Sequence, residues 1–274
     1  MKKLLLALAL LLMMLGCAAA EDAQLYLPTG GYIPPMKAVT ETPGLASSRL
    51  LTTGVVSYDS SISVSHSGSY VTGNTVTWTI SGVSEGIFYL TNNPVNNTYE
   101  ALLKIVDSTT FSYTLMEPGQ YCVFVCNSSG KALYSKAFTV TGKDLLAARA
   151  AEIMADCPYT DDYHIALWAH DWLYDHCEYD YDYVYHGPET MFQSPWTGVC
   201  DSYSKAYVAL MTAAGLDCER VISFEINHAW NVVKMDGDWY QVDATWDDTL
   251  FTYYPNVPSC HLYFAMTDAL FQST

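Results

Sequence analysis

The dipeptide Asp236-Gly237 constrains this chain more than any other pair of residues. It separates two alternating runs, His228–Lys234 and Trp239–Trp246, and Asp-Gly between such runs is a strong signal for a two-residue hairpin turn. If Met235 faces Asp238 across the turn, Trp230 faces Asp243 and His228 faces Thr245. His228 and Asp243 then lie diagonally on one face, within reach of an imidazole–carboxylate hydrogen bond. A slip of one residue would put them on opposite faces. The other face reads Ala229, Val233, Tyr240, Val242, Ala244 and Trp246 and should be core. The His228 face also carries Gln241 and Thr245 and suits a cleft.

Upstream, Gly198 punctuates the chain before Cys200. Apolar residues then recur at Tyr203, Ala206, Tyr207, Leu210, Met211 and Ala214, the spacing of an amphipathic helix, and Gly215 stops it. Cys200 therefore falls in a first helical turn, where backbone N–H groups and the positive end of the helix dipole favour thiolate over thiol. A Cys, a His and an Asp thus occur in order, each on a recognisable element.

These segments resemble the bacterial form of the transglutaminase-like superfamily of papain-like thiol enzymes. The motifs are Gly198-Val199-Cys200-Asp201-Ser202-Tyr203, His228-Ala229-Trp230-Asn231, and Trp239 to Asp248. Ala169-His170-Asp171-Trp172-Leu173 with Tyr179-Asp180 looks like the helix before the nucleophile, and Tyr263-Phe264 with Thr267-Asp268 like the closing segment. The resemblance covers about Leu145 to Asp268 and implies a Cys200 nucleophile, a His228 base and an Asp243 that orients it. It implies acyl transfer through a thioester: to water in a cysteine peptidase or amidase, to a lysine amine in a transglutaminase. A surface-binding protein with an inactive thiol-enzyme domain is the rival from another class. The Cys200 backbone N–H is the natural first oxyanion donor. Papain-like enzymes take a second from a side chain upstream, for which Gln193 and Trp196 are the candidates.

At 274 residues, one large or two modest domains are expected. Between about 51 and 141 lie seven short alternating runs, from Ser61–Ser65 to Ala132–Val140, separated by turn residues. They suggest a β-sandwich, and Glu117-Pro118-Gly119-Gln120-Tyr121 resembles a corner found in immunoglobulin-like domains. Trp78 reads as core. From Lys143 the texture turns helical, with a helix to Ala155, another from a Thr160 or Asp161 cap to about Cys177, and a buried strand at Val221–Ile226. The fold class is α+β: an all-β immunoglobulin-like sandwich over 51–141, then a transglutaminase-like α+β domain over 142–274.

Lys2 and Lys3 precede an apolar run from Leu4 to Leu15, too short to span a bilayer. Leu15-Gly16-Cys17 resembles a bacterial lipobox, except that Met14 stands where Leu is usual. Residues 1–16 read as a lipoprotein signal peptide, Cys17 as its lipidated residue and 17–50 as a tether, with ordinary secretion the alternative. Either way the mature chain is extracytoplasmic, touching a membrane only through the lipid. The partner implied is a peptide or protein substrate. The net charge of −17, from 12 basic and 29 acidic residues, argues against nucleic acid or an anionic membrane surface. Cys122, Cys126, Cys157, Cys177, Cys218 and Cys260 permit disulfides but fix no pairing. Without CxxC spacing zinc is not expected, and His164, His170 and His176, six residues apart, share no helix face. Solvated or capping roles are expected for them, and a structural hydrogen bond for Asp171. No cofactor is implied. Nothing here fixes an oligomeric state.

Overall fold

Alternation in the Thr- and Val-rich runs builds the first half of the protein. A computed structural model describes residues 55–57, 61–92, 100–106, 109–128, 132–223, 225–253 and 261–271. The leader, Cys17, the tether and Cys260 lie outside them. Two sheets form: a five-stranded one ordered β1-β8-β7-β4-β5 and a three-stranded one ordered β2-β3-β6. Their strands are β1 (Val55–Ser57), β2 (Ser63–Ser67), β3 (Thr75–Ser81), β4 (Glu85–Thr91), β5 (Ala101–Val106), β6 (Thr109–Thr114), β7 (Gly119–Asn127) and β8 (Ala132–Val140). The seven expected runs correspond to β2–β8; β1, only three residues long, shows no period to read.

In β3, Val76, Trp78 and Ile80 point inward. Thr75 and Thr77 point outward and pair with Thr114 and Ser112 at 2.7 and 2.8 Å. Trp78 packs in one core with Phe88 of β4, Phe111 of β6 and Phe138 of β8, so both sheets share that core. Trp78 is core, as its sequence context predicts. The Tyr121 hydroxyl donates to the Glu117 carbonyl at 3.3 Å, pinning the corner that opens β7. β7 is covered on both faces. Its Cys122, Phe124 and Cys126 pack with Tyr89 away from the shared core, and burial pushes the two thiols up, to about 12 and about 11. The six described cysteines are free thiols.

The described residues form two compact units, 55–150 with 180–202, and 151–179 with 203–271. The second unit is α+β. It contains α2 (Asp162–His176), most of α3 (Cys200–Ala214), the sheet β11 (Cys218–Ser223), β12 (His228–Met235), β13 (Asp238–Val242), and α4 (Ala244–Tyr253) and α5 (Asp268–Phe271). Helix α1 (Leu145–Met154) and the two-residue strands β9 (Glu178–Tyr179) and β10 (Thr197–Gly198) complete the chain. Asp161, not Thr160, caps α2, accepting from the His164 backbone N–H at 3.1 Å. The buried face of α2 is Ala166, Ala169, His170 and Leu173. Trp168 and Trp172 on the same helix are only half-buried. Helix α3 buries Tyr203, Ala206, Tyr207, Leu210 and Met211 as its spacing predicts. It ends with Gly215 at φ 81°. There the Leu216 N–H donates to Met211 O and the Gly215 N–H to Thr212 O, the paired bonds of a Schellman cap.

The hairpin has the expected register: Met235 faces Asp238 and Asn231 faces Val242. Asp236 and Gly237 sit at φ 53° and 95°, as a type I′ turn requires. Two expectations are corrected. The second strand stops at Val242 and the chain turns helical at Ala244, so Trp246 belongs to α4 and not to the core face of a strand. β11 begins at Cys218 rather than Val221, and is largely exposed or half-buried, being an edge strand.

Candidate active site

Asp243 occupies the junction between β13 and α4, and each of its oxygens has separate work. Oδ1 accepts the Trp246 backbone N–H at 3.0 Å, the N-cap bond that starts α4. Oδ2 lies 2.6 Å from Nε2 of His228, the first residue of β12. The side chains are 0% and 7% exposed, so this is a buried, charge-assisted bond. The His228 ring stacks on Trp246, with centroids 4.6 Å apart and planes 6° apart, and Trp230 stacks beyond at 5.9 Å. Both indoles thus lie nearly parallel to the imidazole and in stacking range of it. With Nε2 committed to Asp243, Nδ1 is the nitrogen that can exchange a proton with a reacting group.

Gln241 does not line a cleft. It is buried, accepts the Trp230 indole N–H at 2.7 Å and donates to Asp268 at 2.8 Å. Asn231, also buried, donates to the Ser204 and Glu219 carbonyls and ties α3 to the sheet. The segment 261–271 runs beside β13. Gln241 and Met266 exchange both backbone bonds, and the Asp243 N–H donates to the Tyr263 carbonyl at 2.9 Å.

A second carboxylate–imidazole group sits one helical turn beyond Asp243. Asp247 is buried and lies 3.0 Å from His170 Nε2, and both its oxygens accept the Tyr263 N–H, at 3.1 and 3.2 Å. His170 Nδ1 meets Asp171 Oδ1 at 3.0 Å, and His261 Nε2 meets the same oxygen at 2.6 Å. Burial works against charge on His170, but the bonds to Asp171 and Asp247 outweigh it and hold its pKa above the ordinary value. Burial raises Asp247, with His170 opposing. His170 is therefore neither solvated nor a cap, which corrects its expected role. His164 does take part in capping, bonded to Asp161 at 2.7 Å. His176 bonds the Trp172 carbonyl at 2.8 Å. Asp171 is the hydrogen-bonding residue its context predicts.

Cys200 is the first residue of α3 and is half-buried. The loop before it is fixed by a buried acid. Asp180 is buried, and its carboxylate accepts the backbone N–H groups of Asp182, Val184 and Tyr185 at 2.8 to 3.0 Å. The Tyr185 carbonyl in turn accepts the Val199 N–H at 3.1 Å and the Ser202 hydroxyl at 2.9 Å. Gly198 has no room for a side chain: a Cβ there would collide with Ser202. Gln193 and Trp196 lie in this loop and are half-buried. The Gln193 side-chain amide points to the Thr114 carbonyl at 3.5 Å, and the Trp196 backbone N–H donates to the Gln193 backbone carbonyl at 2.9 Å.

Cys200 thus opens α3 and His228 opens β12, whereas Asp243, expected on the second hairpin strand, caps α4. Residues 148–244 match the transglutaminase-like superfamily. Kyphoscoliosis peptidase of Homo sapiens is 29% identical over 132 residues, 40% of this chain and 19% of that protein. The Mus musculus protein of that name is 29% identical over 105 residues, 31% of this chain and 15% of its own. The chain spans less than a fifth of the length of these curated relatives. The periplasmic domain of TgpA from Pseudomonas aeruginosa is 11% identical, covering 63% of this chain and 72% of that one, with a TM-score of 0.31.

Proposed function

We propose that the protein is a thiol hydrolase of peptide or protein amide bonds, with Cys200 as nucleophile, His228 as general base and Asp243 as the group that orients it. The observation that carries this reading is the buried 2.6 Å bond between His228 Nε2 and Asp243 Oδ2. In the reaction, Cys200 Sγ attacks the carbonyl carbon while its proton passes to His228 Nδ1. The C–N bond breaks as His228 returns that proton to the leaving amine, which leaves a thioester on Cys200. Water then attacks the thioester with His228 again taking a proton, and the acid product departs with the thiol restored. The Asp243 carboxylate stabilises the imidazolium that forms twice in each cycle. The Cys200 backbone N–H is the first oxyanion donor, and Gln193 or Trp196 supplies the second.

The names of the curated relatives support peptide hydrolysis, and the family description leaves transfer to an amine as the rival outcome. Incubating the full chain with an unstructured protein and a fluorescent primary amine separates them. Cleavage without label supports the hydrolase. Label without cleavage would replace it with a transglutaminase, and neither product with any of several proteins would overturn both. We place the mature chain outside the cytoplasm, anchored through lipid on Cys17, on the strength of Lys2, Lys3, the apolar run to Leu15 and Leu15-Gly16-Cys17. Labelling cells with a fatty-acid analogue tests the anchor. Wild-type protein should carry label and Cys17→Ala should not.

A further inference from the structure

We propose that His170, Asp171 and His261 bind a divalent transition-metal ion of the zinc class. Their ligand atoms lie within 4.8 Å of one another. Asp171 Oδ1 is 3.0 Å from His170 Nδ1 and 2.6 Å from His261 Nε2. The two imidazole centroids are 5.3 Å apart. Two imidazoles bound through nitrogen at ~2.0 Å to one tetrahedral ion hold their centroids ~5 Å apart, so the rings already stand at nearly the right spacing. Ligand atoms around such an ion are ~3.4 Å apart. Binding therefore asks Asp171 and His261 to separate by less than an ångström, and both are on the accessible side, with side chains 40% and 35% exposed.

A second observation points the same way. His170 is 0% exposed, and its other nitrogen is held at 3.0 Å by Asp247, itself fixed by the Tyr263 N–H. A buried carboxylate behind a histidine is what orients metal-bound imidazoles. It holds the proton on the far nitrogen and turns the near lone pair toward the ion. Here that places the His170 Nδ1 lone pair toward Asp171 and His261. Two imidazoles and one carboxylate suit zinc, cobalt or nickel, whereas calcium and magnesium call for oxygen ligands throughout. Water from the exposed side completes four-coordination. The ion would clip the segment beginning at His261 to α2 and, through His170 and Asp247, to the helix that Asp243 caps.

The competing state is a chain of protons shared among the same four side chains with no metal, and cobalt distinguishes the two. The full chain, stripped with a chelator and dialysed, is titrated with Co²⁺. One equivalent should give the visible bands of four-coordinate cobalt without a thiolate charge-transfer band, and Zn²⁺ should displace it. His261→Ala and Asp171→Asn should each weaken binding at least ~tenfold while circular dichroism stays native. Asp171→Asn, at a half-exposed position, carries the test if His261→Ala does not fold. Absence of the bands in the wild type, a thiolate band in their place, or wild-type affinity in the folded variant would overturn the site.

Discussion

At the scale of single residues, the Asp243 carboxylate both caps a helix and holds an imidazole, and the proposed reaction gives the second bond a chemical duty. Oδ1 starts α4 and Oδ2 holds the imidazole, so a substitution can separate the two duties. Asparagine caps helices as well as aspartate does, but cannot supply charge. Asp243→Asn should therefore cost only about 1–2 kcal/mol in urea unfolding, the loss of one charge-assisted bond. Alkylation of Cys200 by iodoacetamide should slow by roughly a hundredfold, the scale of general-base assistance. A large loss of stability with unchanged alkylation would mean that Asp243 serves the fold alone. Hairpin arithmetic made this pair legible in the sequence. His170 was not legible, because a histidine at an otherwise apolar position carries no periodic signal. Its place beside Ala166, Ala169 and Leu173 becomes visible only once Asp247 is known to meet it.

At the scale of elements, the loop leading into α3 depends on Gly198. Alanine there would press its methyl group against Ser202, inside the turn that presents Cys200. Gly198→Ala should lower stability by about 1–3 kcal/mol, the usual range for overpacking, and an unchanged melting temperature would show that the loop yields freely. Helix α4 offers a pH test through Asp248, which accepts the Tyr203 hydroxyl of α3. Burial raises its pKa from 3.8 to about 6. Because the folded state holds this proton more tightly than the unfolded chain, Asp248 favours folding below pH 3.8 and loses that contribution as pH rises through about 6. Asp248→Asn keeps an acceptor for Tyr203 and removes the charge, so stability between pH 4 and 6 should fall less steeply with pH than in the wild type. Parallel pH profiles would contradict this. The strands β2–β8 could be read from alternation and α3 from its apolar spacing. Helix α4 was hidden because Val242 to Trp246 continues the alternation of β13, and only the capping bond of Asp243 reveals that the chain has changed direction. Nor could the role of Asp180 be read, since its partners are backbone N–H groups, which sequence patterns do not display.

At the scale of the whole molecule, the α+β organisation was legible because the texture changes from short alternating runs to helical spacing near Thr141-Gly142. Which loops travel with which unit was not. Residues 180–202 group with the sandwich through backbone bonds such as Leu102 N–H to Val184 O, and no pattern in either segment announces that pairing. Among the described residues no helix is long and apolar enough to cross a membrane. Everything proposed about activity rests on Cys200 and His228 working as one unit, and the alkylation rate of Cys200 at neutral pH tests that most directly. It should be compared in the wild type and in His228→Ala, with Cys200→Ala subtracting the other thiols. The account predicts that Cys200 reacts at least about a hundredfold faster in the wild type than in His228→Ala. Equal rates in two folded proteins would contradict it, leaving His228 and Asp243 as parts of the fold and the thiol of Cys200 without a base.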